Sequence, residues 1–233
     1  MDTRIPAGII IVLLLSVSVT LPVSICKAWA STGETGIIDE EKALKKTLYV
    51  DKGDYIAATR LGEICWEKGK RKEAIRFFRK AAKINPEYPQ PYFFIGRAYF
   101  FEKKPWKGME QFRTFEKKMD VLVSMDESLE DFYVSCLHKM NYMYLTTKKY
   151  NDLMIGYRKI VELKPDDQRA HYNLAVCYYN YYHNRAFAYK ELQKAIEIDT
   201  NRHLTNKAEF FIDYMRKNPD TRYTEDISFI EGE

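Results

Sequence analysis

The fold is decided by residues 55–88, which read YIAATRLGEICWEKGKRKEAIRFFRKAAKINPEY. Small and apolar side chains recur within these 34 residues at Leu61, Gly62, Ala74, Phe78, Ala81 and Pro86. Apolar residues spaced three and four positions apart lie on one face of a helix, so the stretch predicts two amphipathic helices. Gly69 lies between them, where a glycine allows the chain to reverse. Asn85 and Pro86 end the second helix.

The same spacing recurs further along the chain. Residues 89–122 follow with no gap, and residues 168–202 repeat the pattern with one extra residue in the turn. Residues 134–167 match more weakly, because Asn141 and Leu153 stand where small residues are usual. We therefore expect the two helices of this stretch to pack further apart than those of the other repeats.

With a period of 34 residues, a Leu-Gly pair, an Ala-x3-Phe pair and a closing proline, the chain resembles the tetratricopeptide repeat family. The resemblance implies an all-α fold, a right-handed superhelical solenoid of antiparallel helix pairs with a capping helix at each end. The predicted segments are a signal peptide (1–30), a linker (31–38), an N-terminal capping helix (39–53), repeat one (55–88), repeat two (89–122), an insertion (123–133), a degenerate repeat three (134–167), repeat four (168–202), a C-terminal capping helix (203–218) and a tail (219–233). The insertion is interpreted either as a lengthened connection or as an edge that contacts a partner.

The resemblance also implies a concave groove that is lined by the first helix of each pair. In this family the second, fifth, ninth, twelfth and thirteenth positions of a repeat usually face it. The residues that we assign to this groove are Trp66, Phe93, Arg97, Phe100, Phe101, Tyr142, Tyr172 and Tyr179. Aromatic side chains are enriched in binding hot spots, so we expect the groove to bind a segment of another protein. The alternative for each ring is packing in the core. Thr59 and Glu63 stand where family members that hold a C-terminal carboxylate carry Lys and Asn, so that binding mode is not expected.

No motif in the sequence points to catalysis, a metal or a cofactor. The HExxH, CxxC, GxxxxGK[ST], GxGxxG and GxSxG patterns do not occur. His171, Cys177 and His183 are six residues apart, so on one helix they turn away from each other. We predict a non-enzymatic protein with no catalytic residues, no metal site and no cofactor. A net charge of +4 without a clustered basic face predicts no nucleic-acid partner.

The first 30 residues resemble an export signal. Arg4 precedes an uncharged stretch over residues 5–26, and Ala28 and Ala30 provide small side chains before a cleavage site between Ala30 and Ser31. The alternative is an uncleaved anchor in the inner membrane, because 22 uncharged residues are enough to span a bilayer. A third option, lipidation at Cys26, is opposed by Ile25, since a small residue normally precedes a lipidated cysteine.

These patterns together predict a scaffold or adaptor of the bacterial cell envelope, located in the periplasm or at the envelope, that binds protein partners. The alternative functions are a periplasmic binder of a small apolar ligand and an accessory subunit of a solute-uptake system. Membrane contact is expected only through an uncleaved N-terminal segment, and a homo-oligomer is an alternative partner. Cys65, Cys136 and Cys177 lie in apolar helical stretches, so we expect buried thiols and no disulfide framework.

Overall fold

The computed structural model describes residues 34–218, with side chains from Glu40 onward. This part of the chain contains ten α-helices and one 3₁₀ turn, and none of its residues lies in a β-strand. The helices are α1 (Glu34–Val50), α2 (Tyr55–Glu67), α3 (Arg71–Ile84), α4 (Gln90–Phe101), α5 (Pro105–Met125), α6 (Glu130–Thr146), α7 (Tyr150–Leu163), α8 (Gln168–Asn180), α9 (Arg185–Ile198) and α10 (Arg202–Lys217). The all-α prediction is confirmed. The predicted signal peptide, its Ala30–Ser31 cleavage site and the tail lie outside the described residues.

Four short connections join the helices into consecutive pairs, and each contains one residue in the left-handed conformation. These residues are Gly69, Lys103, Lys148 and His183, with φ between 52° and 72°. The N–H that follows each of them bonds to a carbonyl five or six residues earlier: Lys70 to Cys65, Lys104 to Tyr99, Lys149 to Tyr144 and Asn184 to Tyr178, at 2.8–2.9 Å. Hydrogen bonds of this kind satisfy the last carbonyl groups of a helix when a left-handed residue follows its C-terminus. The left-handed residues are 34, 45 and 35 positions apart, which is the period, the period plus the insertion, and the period plus one.

The chain divides into two compact units, Met1–Phe77 and Phe78–Glu233, with the boundary inside α3. In the first unit α1 packs against α2 through ion pairs. The Arg60 guanidinium donates two hydrogen bonds to the carboxylate of Glu40, at 2.6 and 3.0 Å. Lys45 and Lys68 donate to Glu41 and lower the pKa of its carboxyl to about 2. The helix predicted over 39–53 therefore covers α2, although it begins earlier, at Glu34.

The insertion is helical along most of its length. The helix α5 runs on to Met125, a 3₁₀ turn spans Glu127–Leu129, and α6 begins at Glu130. Asp126 lies between the end of α5 and the 3₁₀ turn. Its side chain accepts a hydrogen bond from the N–H of Ser128 at 3.0 Å. Val123, Leu129 and Tyr133 are buried. The extra residues thus lengthen α5 and α6 and add to the core between them.

Two glycines let α4 and α5 approach closely in repeat two. A Cβ atom on Gly96 would lie 2.5 Å from two ring carbons of Phe112 and 3.1 Å from the carbonyl oxygen of Gly108. A Cβ atom on Gly108 would lie 2.4 Å from the Phe100 ring and 2.9 Å from the carbonyl oxygen of Gly96. Carbon atoms pack favourably at about 3.5–4.0 Å, so only hydrogen fits at either position.

In repeat three the small residue that lets the helices approach lies on the second helix of the pair, α7. Asn141 stands where repeat two has Gly96, and its side chain is fully buried. The space that it needs comes from Gly156 on α7, where a Cβ atom would lie only 2.0 Å from Asn141 Oδ1. The equivalent position of repeat two is the larger Gln111. This exchange explains how the third repeat keeps a helix pair without the usual Leu-Gly and Ala positions.

The core of the second unit is aromatic in its centre. Phe112, Phe115, Tyr133 and Tyr157 are all fully buried, and the Phe115 and Tyr133 rings meet edge to face at 5.8 Å. Cys65, Cys136 and Cys177 are buried in their respective units, and none of the three forms a disulfide within residues 34–218. Over residues 34–218, none of the helices combines the length and the apolar character that crossing a membrane requires.

Candidate functional site

Three of the aromatic residues assigned to the groove lie in the core. Phe93, Tyr172 and Tyr179 are 3%, 5% and 4% exposed. The Phe93 ring lies 6.0 Å from that of Phe112 and 5.3 Å from that of Phe115. These rings pack inside the second unit, which corrects their assignment to the groove surface.

The helix α10 accounts for the burial of the two tyrosines. The Phe211 ring of this helix lies 6.4 Å from Tyr172 and meets the Tyr179 ring edge to face at 5.3 Å. The Tyr179 hydroxyl donates to the carbonyl oxygen of Asn218, at 3.1 Å, just beyond the end of α10. The C-terminal capping helix thus covers the positions of repeat four that we had assigned to the groove.

The other assigned residues are more exposed. Phe101 and Tyr142 keep 50% and 38% of their surface exposed. Phe100 is half-buried, because its ring stacks on Phe112 at 5.3 Å. The guanidinium carbon of Arg97 lies 5.6 Å from the centre of the Phe93 ring, a distance typical of a cation–π contact.

Trp66 belongs to the first unit. It is half-buried, with the Arg71 guanidinium carbon 5.7 Å from its ring. Thr59 is buried, and Glu63 forms an ion pair with Arg60 at 3.1 Å. Desolvation raises the pKa of Glu63 despite this ion pair. Thr59 and Glu63 thus make their contacts within the first unit, and the expectation that repeat one does not hold a carboxylate stays a prediction.

A cavity of about 600 Å³ lies where α6, the connection 164–167 and the start of α10 come together. Ser135 and His138 line it from α6, Arg169 from the first turn of α8, and Asn201 from the connection before α10. Ser135 and His138 hold the second and fifth positions of repeat three, which face the groove in the resemblance given above. Because Tyr142 follows His138 by four residues, it lies on the same face of α6. This cavity, with Tyr142 beside it, is the candidate site.

Two side-chain contacts and a helix cap fix one wall of the cavity. His138 Nε2 lies 2.8 Å from Asp167 Oδ2, and Asp167 Oδ1 accepts the N–H of Ala170 at 2.8 Å, so Asp167 caps α8. Burial opposes the charge on Asp167, but the bonds from His138 and Ala170 outweigh it and lower the pKa of this carboxyl. Lys164 Nζ lies 2.6 Å from Asp131 Oδ1 and so ties the same connection to α6.

Gln168, at the start of α8, links this helix to the connection before α10 and to α10 itself. Its side chain is 3% exposed, and its amide nitrogen donates to the carbonyl oxygen of Ala195 at 2.8 Å and to Thr205 Oγ1 at 2.9 Å. Its amide oxygen accepts the N–H of Asn201 at 2.7 Å and the hydroxyl of Thr200 at 3.1 Å. All four hydrogen-bonding positions of the amide are used, so the network fixes the two inter-repeat connections against each other.

A second cavity of about 800 Å³ lies along α5, on the side of the insertion. Arg113, Lys117, Val121 and Met125 contribute to its lining, and the last two are 52% and 68% exposed. If the insertion is an edge that contacts a partner, this second cavity is the alternative place for the partner to bind.

The acidic residue Glu116 has a strongly raised pKa. Burial and the nearby carboxylates of Asp120 and Asp152 raise the pKa of Glu116 to about 7. Such values are a feature of general acids and bases, but Glu116 lines neither cavity. Over residues 34–218, no group of three or more His, Cys, Asp or Glu side chains is arranged to hold a metal ion.

The comparisons with known proteins agree with the fold. The family model described as tetratricopeptide repeat matches residues 49–88. The solved structure "Crystal structure of MamA" superposes with a TM-score of 0.53 at 19% identity, covering 68% of this chain and 86% of that one. A second, "Crystal structure of MamA protein", gives 0.52 at 19% identity, covering 68% of this chain and 80% of that chain. "MamA RS-1 ArsTM double mutant" gives 0.51 at 15% identity over 76% and 93%. At these identities the likeness shows the fold, and no curated protein matches.

Proposed function

Because the chain is a tetratricopeptide repeat protein, we propose that it is a non-enzymatic scaffold that binds a segment of another protein at the cavity between repeats three and four. The observation that carries the proposal is the position of this cavity. It is lined by Ser135 and His138, at the groove-facing positions of repeat three, and by Arg169 of repeat four. The connections that wall it are fixed by the Asp167 and Gln168 contacts, so the site is formed before any partner arrives.

The lining suits a peptide better than an apolar molecule. The cavity is lined mainly by charged and polar side chains, among them lysine, arginine, aspartate and hydroxyl groups. A peptide presents backbone N–H and C=O groups together, and both kinds of group find partners in such a lining. Tyr142 adds an aromatic surface one turn further along α6. The alternative of a small apolar ligand therefore receives less support from this site.

A blocking substitution tests the site. A library of random 12-residue peptides displayed on phage is first selected on the wild-type protein, and the Kd of a selected peptide is then measured. Ser135 is exposed on α6, so Ser135→Arg places a long side chain in the cavity without disturbing the core. Arginine is also the better helix former, so folding is retained. We expect the Kd to rise at least tenfold. Gln193→Arg, at an exposed site on α9 away from this cavity, is the matched control and should leave it unchanged. Equal binding by Ser135→Arg and the control would refute the site.

The setting that we propose is the bacterial cell envelope, after export through residues 1–30. The support is the pattern of a charged start, an uncharged stretch and Ala28 and Ala30 before the cleavage site. Sequencing the N-terminus of the protein purified from periplasmic extract tests this directly. A mature chain that begins at Ser31 agrees with the proposal, and an intact N-terminus in the membrane fraction favours the anchor instead.

A further inference from the structure

We propose that a protonated His171 locks the connection between repeats three and four, and that this lock opens as the pH rises. The lock lies beside the proposed binding cavity, so its consequence for binding rests on the proposed function. The lock itself does not depend on that function.

Both ring nitrogens of His171 face groups that only accept hydrogen bonds. Nδ1 lies 2.7 Å from Glu191 Oε2 on α9, and Nε2 lies 3.0 Å from the carbonyl oxygen of Pro165. The residue is 7% exposed, so water does not replace these partners freely. A neutral imidazole carries one N–H and satisfies one acceptor, whereas an imidazolium donates to both. The geometry therefore favours the imidazolium, because only the doubly protonated ring donates to Glu191 and to the Pro165 carbonyl oxygen at the same time.

The charges around the ring favour this proton. Glu191 faces His171 from α9, and Asp167 faces it from the connection 164–167. Burial lowers the pKa of the imidazole, but the bonds to Glu191 and to the Pro165 carbonyl outweigh burial and raise it above the ordinary 6.5. A group whose pKa is higher in the folded state stabilises the fold fully below its unfolded pKa. That stability is lost as the pH rises from about 6.5 through the folded pKa.

When His171 loses a proton, one ring nitrogen is left with a lone pair. The acceptor opposite that nitrogen, either Glu191 Oε2 or the Pro165 carbonyl oxygen, then loses its hydrogen bond. If the bond to Pro165 breaks, the connection 164–167 is held only by its remaining contacts, among them the bond between His138 and Asp167. Lys164 and Asp167 of this connection line the cavity. The shape of the proposed binding site is thereby linked to pH.

The first test is the titration of the wild-type protein. Nitrogen-15 NMR of the imidazole distinguishes a ring with both nitrogens protonated from either neutral tautomer. We expect the His171 signals to move from the doubly protonated state to a neutral one with a pKa above 6.5. A pKa below 6.5, or a single neutral tautomer throughout, would overturn the proposal.

The second test uses Glu191→Gln. Its side-chain amide donates to Nδ1 of a neutral imidazole, which still donates from Nε2 to Pro165, so the variant keeps the bonds without the proton. Glu116 also titrates in this range, so each variant is compared with wild type over the same pH series. Above about pH 6.5 the unfolding constant of wild type should rise by up to tenfold per pH unit relative to Glu191→Gln. His183→Asn, at an exposed turn that tolerates asparagine, should follow wild type. Equal slopes for Glu191→Gln and wild type would contradict the lock.

Hydrogen exchange and peptide binding separate the two proposals. Amides of residues 164–170 should exchange faster in wild type than in Glu191→Gln above the folded pKa, after correction for the intrinsic pH dependence. The affinity of a phage-selected peptide should fall over the same range in wild type alone. Faster exchange with an unchanged affinity would support the lock and refute its coupling to the cavity.

Discussion

The exchange of Asn141 and Gly156 between the two helices of repeat three leads to a double-mutant prediction. A Cβ atom on Gly156 would lie 2.0 Å from Oδ1, 2.9 Å from Cγ and 3.1 Å from Nδ2 of Asn141. The asparagine is fully buried, and within residues 34–218 neither polar atom of its side chain has a hydrogen-bond partner. The amide therefore blocks Gly156→Ala and contributes no bond that its removal would break.

The expected energies follow from these contacts. Overpacking a core costs about 1–3 kcal/mol, and a contact of 2.0 Å with a buried group lies at the upper end. Alanine in place of a helical glycine returns about 1 kcal/mol. Gly156→Ala alone should therefore destabilise the protein by about 2 kcal/mol. In an Asn141→Ala background the obstacle is gone, and the same change should stabilise it by about 1 kcal/mol.

Urea unfolding followed by circular dichroism measures the four free energies of this cycle. We expect a coupling of about 3 kcal/mol, whereas independent sites add to within about 0.5 kcal/mol. Ile155→Ala, at a 60% exposed neighbour on α7, is the control and should add to Asn141→Ala. Additive energies for Gly156→Ala and Asn141→Ala, or a neutral Gly156→Ala in the wild-type background, would refute the close approach that the structure shows.

Three further predictions concern the helix pairs. Lys148→Gly should raise the free energy of unfolding by about 0.5–1 kcal/mol, because the left-handed φ of 58° strains a lysine more than a glycine. For the same reason Gly69→Ala should lower the free energy of unfolding by about 1 kcal/mol, measured by urea unfolding. A destabilising Lys148→Gly would contradict the turn geometry. Gly96→Ala should destabilise by about 1–3 kcal/mol in the same assay, because its Cβ would meet both the Phe112 ring and the Gly108 carbonyl oxygen. A neutral effect would show that α4 and α5 separate without strain.

The helix pairs could be predicted from the sequence, because the turn residues and the apolar spacing are local. Gly69 marks the first turn, and the same position recurs with the left-handed Lys103, Lys148 and His183. The spacing of aromatic residues shows which of them share a helix face. It does not show whether that face lines an open groove or packs in the core. Tyr172 was therefore assigned to the groove, and only the packing of α10 shows it to be buried.

The candidate site itself could be predicted only in part. Ser135 and His138 follow from the groove-facing positions of repeat three. The walls of the cavity do not, because they are built from connections between repeats whose partners are distant in sequence. Gln168 bonds to Thr205, and His171 to Glu191, across 37 and 20 residues. Gly156 gave a signal that was missed: it lies three positions after Leu153 and is the only glycine or alanine of residues 134–167.

The most direct test of the central claim maps a bound peptide onto the protein by amide NMR. A peptide selected on the wild-type protein is titrated into the nitrogen-15-labelled chain. The account predicts that the largest shift changes fall on residues 135–142 of α6 and on residues 164–170. Changes confined to residues 110–125 of α5, around the second cavity, would contradict it.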